Sequence, residues 1–521
     1  MTALEDLPFQ RIADLIREHA HARPDRAALV QGDTTMSYAA LDALMDRIAA
    51  SLQRDGLRAG DVIAICAQSS PRYAAVFLGA LRAGVTVAPL APSVTPESFA
   101  GMLHDAAARW LFIDAAALEA LGATPPACCI SLDGVAPGLA LADWLLPEGA
   151  LPQPADVGPE APFNVIYSSG TTGAPKGIVQ SHGMRWSHVT RGAHYGYSSE
   201  TVTLLATPLY SNTTLVVLFP TLAFGGTVVL MAKFDAARYL ALAQQHRMTH
   251  TMLVPVQYQR IMAVPGFEAF DLSSTIAKFC TSAPFSAALK ADVVRRWPGA
   301  LIEFYGMTEG GGTCILLAHE HPTKLHTVGQ PAAGHDIRLI DDDGVELPAA
   351  AVAAGASGEV VGHSPGMMTG YHGQPEKTRE AEWFDAGGKR FIRTGDVGRF
   401  DADGFLTLMD RKKDMVISGG FNIYPSDLEV VLREHAAVAD VAVVGVPSPQ
   451  WGETPVAYVV KRAGAPDSAD ELLGWFNARV GKTQRLASLH FIDELPRSAI
   501  GKVLKRELRD RHVAGLFASG H

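Results

Sequence analysis

From Phe9 to about Gln330, short apolar runs alternate with amphipathic stretches of helical period. This alternation limits the fold more than any single residue does. Val62–Cys66, Val85–Leu90, Ile276–Thr281 and Leu301–Tyr305 read as strands, and Arg72–Ala83 and Ala287–Trp297 as helices. Strands separated by helices pair in parallel, because the crossover helix returns the chain to the same end of the sheet. The expected class is α/β, with layered, mostly parallel sheets and helices. From His335 to Asp410 the pattern changes to short strands divided by turns at Asp343-Gly344, Ser357-Gly358, Gly387-Gly388 and Asp403-Gly404. A small antiparallel or barrel-like unit is expected there. Beyond it, Ser426-Asp427-Leu428-Glu429 and Ser468-Ala469-Asp470-Glu471 have the spacing of helix capping boxes. Strands are expected at Val438–Val446, Ala457–Val460 and Leu489–Ile492, giving a compact α+β module. The charged run Arg411-Lys412-Lys413-Asp414 marks the joint. The expected organisation is a domain over 1–411 that includes the β-rich stretch 335–410, a joint at 412–414, and a smaller domain over 415–521.

The chain has 521 residues, too many for one core, and its hydrophobic fraction of 48% suffices for several. Its formal net charge of -10 lacks the basic excess of a nucleic-acid binder, so no nucleic-acid partner is expected. The five cysteines form no C-x-x-C pair and fit neither a disulfide framework nor a zinc site. No signal-peptide pattern opens the chain. The most apolar stretch, Leu215–Ala232, is interrupted by Pro220, Gly225 and Gly226 and reads as buried core rather than a membrane span. A cytoplasmic protein follows as the expectation, with a homodimer possible.

The strongest local signal is Tyr167-Ser168-Ser169-Gly170-Thr171-Thr172-Gly173-Ala174-Pro175-Lys176-Gly177, directly after the strand-like Phe163–Tyr167. Glycines let backbone approach a ligand closely, hydroxyls add donors, and Lys176 adds a positive charge. The set suits a polyphosphate, although the same composition also describes a flexible surface loop. It is not a P-loop, since no Gly-Lys-Ser/Thr closes it. Read alone, the other candidates have ordinary explanations. Lys502 would be a solvated lysine before Lys505 and Arg506, Glu309 and Asp396 turn carboxylates, and Tyr305 a core tyrosine at a strand end.

Taken in order, the motifs resemble those of the adenylate-forming superfamily of acyl-CoA synthetases, luciferases and peptide adenylation domains. The resemblance covers about Ile12 to Leu508 and is nearest the AMP-forming acyl-CoA ligases. The Tyr167–Gly177 segment resembles the family's phosphate loop. Tyr305-Gly306-Met307-Thr308-Glu309 resembles its nucleotide and magnesium motif, and Arg393-Thr394-Gly395-Asp396 its ribose motif. Asp410–Asp414 resembles its hinge, Ser418–Pro425 its thiol-step loop, and Pro496–Lys502 its catalytic-lysine motif. The implied activity is ATP-dependent activation of a small carboxylic acid as an acyl-adenylate, followed by thioester formation with coenzyme A.

The resemblance also implies residue roles. Lys502 and Thr308 would stabilise the transferring phosphate, and Glu309 would hold Mg²⁺. Ser168, Ser169, Gly170, Thr171, Thr172, Gly173 and Lys176 would cradle ATP phosphates. Ser282, Ala283, Pro284, Glu303, Tyr305, Gly306 and Met307 would surround the nucleotide. Asp396 would hold the ribose, Arg411 would reach the same ribose or the phosphate, and Lys413 would be the pivot of a mobile C-terminal domain. Gly419, Gly420 and Phe421 would admit coenzyme A, while Tyr210, Ser211, Asn212, Thr213, Gly310 and Gly311 would line the acyl pocket. Three positions depart from the family pattern: Ser211 where a His is common, Glu303 where Gln or Asn is usual, and Phe421 where Glu is frequent.

Segments 210–214, 280–283 and 310–313 contain no Arg or Lys, so the expected substrate is an uncharged aromatic, alicyclic or medium-chain acid. Gly310-Gly311-Gly312 reads as space for a bulky tail. Alternative readings are an enzyme loading a carrier-protein thiol, oxidation of the adenylate as in luciferases, and a nucleotide-binding relative that has lost catalysis.

Overall fold

The computed structural model describes residues 8–122, 128–168, 176–412, 414–418, 421–498 and 501–515. These form two compact units, Met1–Asp336 with Gly362–Ile392, and Ile337–Val361 with Arg393–His521.

The first unit carries two large sheets. One has nine strands in the order Gln330–Pro331, Thr313–Leu317, Ala300–Gly306, Ala277–Cys280, His250–Leu253, Val202–Leu205, Thr227–Leu230, Ala27–Gln31 and Thr34–Ser37. The six strands from Ala300–Gly306 to Ala27–Gln31 run parallel, and antiparallel strands close both edges. The other has eight strands, ordered Gly370–Tyr371, Lys176–Ser181, Pro162–Ser168, Thr86–Pro89, Val62–Cys66, Trp110–Ile113, Cys129–Ser131 and Leu139–Ala140. Only Lys176–Ser181 runs against the others, pairing antiparallel with both of its neighbours.

The helix Pro71–Arg82 starts at Ser70, whose hydroxyl accepts from Tyr73 N at 3.2 Å, with Pro71 preset for the first turn. Tyr73, Val76, Phe77, Leu78 and Leu81 are all buried, so the helix is apolar around its whole circumference, as a helix packed within a core must be. Each such side chain contributes roughly 1.5–3 kcal/mol by leaving water. The apolar run near Leu215 is also core: it forms the helix Asn212–Ala223 and the strand Thr227–Leu230, both almost wholly buried. No described helix is long and apolar enough to cross a membrane.

In the second unit, the strands Val438–Ser448 and Gly452–Lys461 form an antiparallel hairpin, flanked by Val416–Ser418, Phe421–Ile423 and Ser488–Phe491. Leu428, Leu432, Leu472 and Phe476 pack the helices Pro425–Arg433 and Ala469–Asn477 into one core with Val441, Val443, Ala457 and Val459. Ala442, Val444, Val456, Tyr458 and Leu508 form a second cluster. The β-rich stretch forms the strands Asp336–Ile340, Gly358–His363, Glu382–Phe384, Arg390–Phe400 and Leu406–Arg411.

The two capping expectations part ways. Ser468 and Glu471 form the reciprocal box at Ala469–Asn477. Ser426 does not cap, because the helix Pro425–Arg433 begins one residue earlier, after Tyr424. Proline fits the first helical position since it lacks the donor that would be orphaned there. Ser426 is thereby drawn into the first turn, and its hydroxyl donates to the Met409 carbonyl instead.

Two buried histidines predict an acid sensitivity. His182 lies against Phe9 and Phe163, and His250 donates Nε2–H to the Tyr195 carbonyl at 2.8 Å. Burial holds both neutral, with pKa values lowered from 6.5 to about 4. Between those limits the unfolded chain binds more protons, so stability is present above pH 6.5 and is lost as pH falls toward 4. Each histidine should remove on the order of 2 kcal/mol between pH 7 and 4.5. Urea unfolding of wild type and a His250→Gln variant at both pH values checks this: the variant should lose less, and equal losses contradict it.

Candidate active site

In the nine-stranded sheet, the strands Val202–Leu205, Ala277–Cys280 and Ala300–Gly306 all end at the same edge, since they run parallel. The segments that follow them, around Tyr210–Thr213, Ser282–Pro284 and Tyr305–Glu309, are therefore brought together. The carboxyl ends of parallel strands are where open α/β sheets hold ligands, because the loops there diverge. Ser282 has φ +79, an uncommon conformation for a residue with a side chain. Its hydroxyl meets that of Thr213 at 2.7 Å, tying the end of one strand to the helix Asn212–Ala223. Burial raises the phenol pKa of Tyr210, opposed by a hydrogen bond with Ser93. Tyr305 and Met307 are half-buried and Gly306 is exposed.

Lys176 opens the strand Lys176–Ser181 opposite Ser168 in the ladder. The intervening Ser169, Gly170, Thr171, Thr172 and Gly173 lie outside the described residues, as does the side chain of Ser168. Lys176 Nζ sits 4.9 Å over the ring of Tyr371. The Tyr371 hydroxyl donates to Glu309 Oε1 at 2.9 Å, and Met368 N donates to the Glu309 carbonyl at 2.8 Å. Tyr371 is itself in the ladder, opposite Ile178. A continuous chain of contacts thus joins Lys176, through Tyr371, to Glu309. Burial and the Glu309 carboxylate raise the Tyr371 pKa, so the phenol stays protonated and remains a donor.

Behind Thr308 lies a network that the motifs did not announce. Gln180 Nε2 donates to the Thr308 carbonyl at 2.7 Å, and Gln180, Asn164 and Arg185 are fully buried. Arg185 donates to Asn164 Oδ1 at 3.0 and 2.9 Å and to Gln180 Oε1. Burial lowers the Arg185 pKa to about 9, and no described carboxylate forms an ion pair with it. The strand period supplied a clue: Gln180 shares a face with Ile178, which is buried. Neither Arg185 nor Tyr371 carried a comparable signal.

Two expectations are corrected here. The glycines at 310 and 311 do not open space. A Cβ on Gly310 would stand 2.0 Å from the Gly366 carbonyl oxygen, and one on Gly311 would stand 2.5 Å from Ile392 Cβ. Missing side chains here permit close backbone packing, and Ser364 Oγ fixes the approach by donating to the Gly310 carbonyl at 2.5 Å. Glu303 does not present its side chain to a ligand: it is buried and pairs with Lys290, which also donates to the Thr327 carbonyl at 2.9 Å. Desolvation raises the Glu303 pKa to about 7, against the pull of Lys290.

In the second unit, Asp396 lies opposite Arg411 across the ladder, and Lys412 N donates to the carbonyl of the neighbouring Gly395 at 2.8 Å. Asp396 N donates to Thr394 Oγ1 at 3.0 Å, and Thr394 donates to the Val360 carbonyl at 2.8 Å. Arg393 pairs with Glu359 through Nε at 3.0 Å. Lys502 follows Gly501, at φ +78, in a turn closed by Ser498 N to the Lys502 carbonyl at 2.8 Å. Lys413, Gly419 and Gly420 lie outside the described residues, as do the side chains of Arg411 and Phe421.

Comparison with known proteins agrees with this architecture. The family model for an AMP-binding enzyme matches residues 16–372, and that for the AMP-binding enzyme C-terminal domain matches 427–502. A feruloyl-CoA synthase of an Amycolatopsis species is 34% identical over 94% of this chain and 97% of its own. An indoleacetate–CoA ligase of Aromatoleum aromaticum is 32% identical over 96% and 97%. Among solved structures, the o-succinylbenzoate CoA synthetase of Bacillus subtilis, in complex with its acyl-adenylate intermediate, superposes with a TM-score of 0.81 at 27% identity. That match covers 97% of this chain and 99% of the other. The chain belongs to the AMP-binding enzymes of the adenylate-forming superfamily, and within it is most like the AMP-forming acyl-CoA ligases.

Proposed function

We propose that the enzyme joins a carboxylic acid to coenzyme A in two steps. A carboxylate oxygen attacks the α-phosphorus of ATP, the bond to pyrophosphate breaks, and an acyl-adenylate forms. The thiol sulfur then attacks the acyl carbon, AMP leaves, and the thiol proton passes to solvent. The single observation that carries the reading is the contact chain Lys176–Tyr371–Glu309 beside Thr308, at the carboxyl ends of a parallel sheet. It links a candidate phosphate loop to a candidate metal ligand.

The first step brings two anions together, so neutralising charge and fixing the line of attack dominate its barrier. Lys502 neutralises the attacking carboxylate and the α-phosphate, and the Thr308 hydroxyl donates to that phosphate. The loop from Ser168 to Gly173, with Lys176, holds the departing pyrophosphate. Tyr305 and Ser282-Ala283-Pro284 flank the adenine, with Gly306 and Met307 beside them, and Asp396 and Arg411 hold the ribose. For the second step the C-terminal domain turns about Lys413, withdrawing Lys502 and bringing Gly419, Gly420 and Phe421 to the thiol's path. The substrate is an uncharged aromatic, alicyclic or medium-chain acid, a reading supported by the aromatic acids named for its relatives and by the absence of Arg or Lys from 210–214, 280–283 and 310–313.

Mg²⁺ would fit the oxygen donor present: Glu309 offers a carboxylate, the kind of ligand this hard cation prefers, and would hold the ion beside bound phosphates. Bound there, the ion would neutralise phosphate charge. Tyr371 orients the carboxylate through its hydrogen bond. Tyr371→Phe should raise the Mg²⁺ concentration for half-maximal adenylation roughly tenfold; an unchanged requirement contradicts that role. The function itself is tested by incubating the enzyme with ATP, coenzyme A and a library of acids. AMP release should require both acid and coenzyme A, with the acyl-CoA identified by mass. AMP release with no acyl-CoA would reject thioester formation.

A further inference from the structure

The buried network behind Thr308 is assembled by local geometry. Asn164 and Gln180 stand opposite each other in the antiparallel ladder of Pro162–Ser168 and Lys176–Ser181, the two strands that flank the candidate phosphate loop. Ser181 ends the second strand and caps the helix His182–Thr190, its hydroxyl accepting from Met184 N at 3.1 Å. This direct passage from strand to helix sets Arg185, in the first turns of the helix, against both amides. Its guanidinium lies 5.8 Å from the Phe163 ring centre and 5.7 Å from that of Phe219, two aromatic rings that attract a desolvated cation.

Arg185 dictates which way both amides point. A guanidinium carries donors only, so each amide must turn its oxygen toward it. Asn164 presents Oδ1 and Gln180 presents Oε1, and Asn164 Nδ2 also donates to Gln180 Oε1 at 3.0 Å. With its oxygen engaged there, Gln180 directs Nε2 to the site. This nitrogen donates to the Thr308 carbonyl at 2.7 Å and, at the longer distance of 3.4 Å, to Asn212 Oδ1. Thr308 precedes Glu309, and Asn212 starts the helix Asn212–Ala223. One amide therefore ties the loop of the candidate phosphate and metal residues to the helix beside the candidate acyl pocket. The cation on its oxygen polarises that amide and strengthens its donation. The arrangement costs stability, since Arg185 Nη1 is buried with no hydrogen-bond partner among the described residues. Apolar side chains of similar volume would fill the same space without that cost. What the polar network adds is orientation.

We propose that Gln180 is a positioning residue for acyl-adenylate formation, held in its orientation by Arg185, so that the Thr308 loop and the start of the helix Asn212–Ala223 keep one spacing while the carboxylate meets the α-phosphorus. The inference rests on the ligase reading and deepens it. Neither side chain acts on the reacting atoms itself. Their effect falls on kcat rather than on KM, because in-line alignment governs the transition state, while ground-state contacts survive a small shift.

The test is a double-mutant cycle read by pyrophosphate–ATP exchange, with 3-phenylpropenoic acid as the probe or, if wild type does not use it, the best acid of the library. Gln180→Leu should lower kcat for exchange roughly tenfold to a hundredfold, with KM for ATP and for the acid within about threefold. Adding Arg185→Met to Gln180→Leu should change kcat by less than about threefold, since Arg185 acts through Gln180. The same addition should raise the unfolding midpoint, because it removes a buried charge that has lost an acceptor. Stability recovered without activity separates positioning from packing. Gln180→Glu gives a second reading should Gln180→Leu fold poorly. It keeps the size, offers Arg185 a carboxylate, and turns an oxygen instead of a donor toward Thr308. Its midpoint should stay at or above that of wild type while kcat falls by a similar factor. Wild-type kcat in Gln180→Leu or Gln180→Glu, multiplied losses in the double variant, or activity that returns with stability would each overturn the inference and leave the ligase reading standing. If no acid of the library supports exchange by wild type, the ligase reading fails and this inference falls with it.

Discussion

Replacing Lys502 with alanine should lower acyl-adenylate formation roughly a hundredfold or more, by analogy with removal of one preorganised oxyanion donor. Thioester formation from supplied acyl-adenylate should change far less, because the lysine serves only the step in which two anions meet. Backbone groups and neighbouring side chains hold the turn that presents Lys502. Ser498 N bonds the Lys502 carbonyl, Lys502 N bonds Ser498 Oγ at 3.2 Å, and Arg497 bonds the Gly501 carbonyl at 2.6 Å. The variant should therefore fold normally. Single-turnover assays of each half-reaction check the split; equal losses in both would contradict separate conformations for the two steps.

The second large effect is expected at Gly310. Its φ of +74 already disfavours any side chain, and an alanine Cβ would lie 2.0 Å from the Gly366 carbonyl oxygen. The obstacle is backbone, held by Ser364 through Gly366 N at 3.2 Å, so no rotamer change relieves it. Gly310→Ala should cost ~3 kcal/mol or more, combining left-handed strain with overpacking. Because Glu309 is adjacent and its carbonyl accepts from Met368, the same shift should displace the carboxylate and abolish adenylation. Gly101 is the control: it lies in the helix Pro96–Asp105 with nothing within 4 Å of an added Cβ. Gly101→Ala should stabilise by ~0.5–1 kcal/mol. Thermal unfolding of the two variants, with adenylation measured in parallel, tests both; a folded and active Gly310→Ala enzyme would refute the packing argument.

These two sites mark what could be read from the sequence. The α/β layering was legible because strand and helix periods differ, and Val62–Cys66 forms the strand its pattern indicates. The Ser468–Glu471 box was legible because capping is local. Ser426 misled, since Pro425 competes for the helix start and the partner of its hydroxyl, Met409, is distant in sequence. Glycine spacing could not distinguish open space from close packing at Gly310 and Gly311, because the answer depends on Gly366 and Ile392. Glu303 looked like a ligand-facing departure, but Lys290, which buries its charge, sits on another element. Tyr371, Gln180, Asn164 and Arg185 belong to no motif; the strand period hinted at Gln180 alone, and tertiary contacts joined the set to Glu309 and Thr308.

Formation of an enzyme-bound acyl-adenylate is the centre of this account, and isotope exchange between pyrophosphate and ATP measures it without the second step. With a competent acid and no coenzyme A, labelled pyrophosphate should enter ATP at a rate that rises with acid concentration and falls roughly a hundredfold in Lys502→Ala. Acyl-CoA formed from ATP, acid and coenzyme A with no acid-dependent exchange under any of these conditions would contradict an acyl-adenylate intermediate.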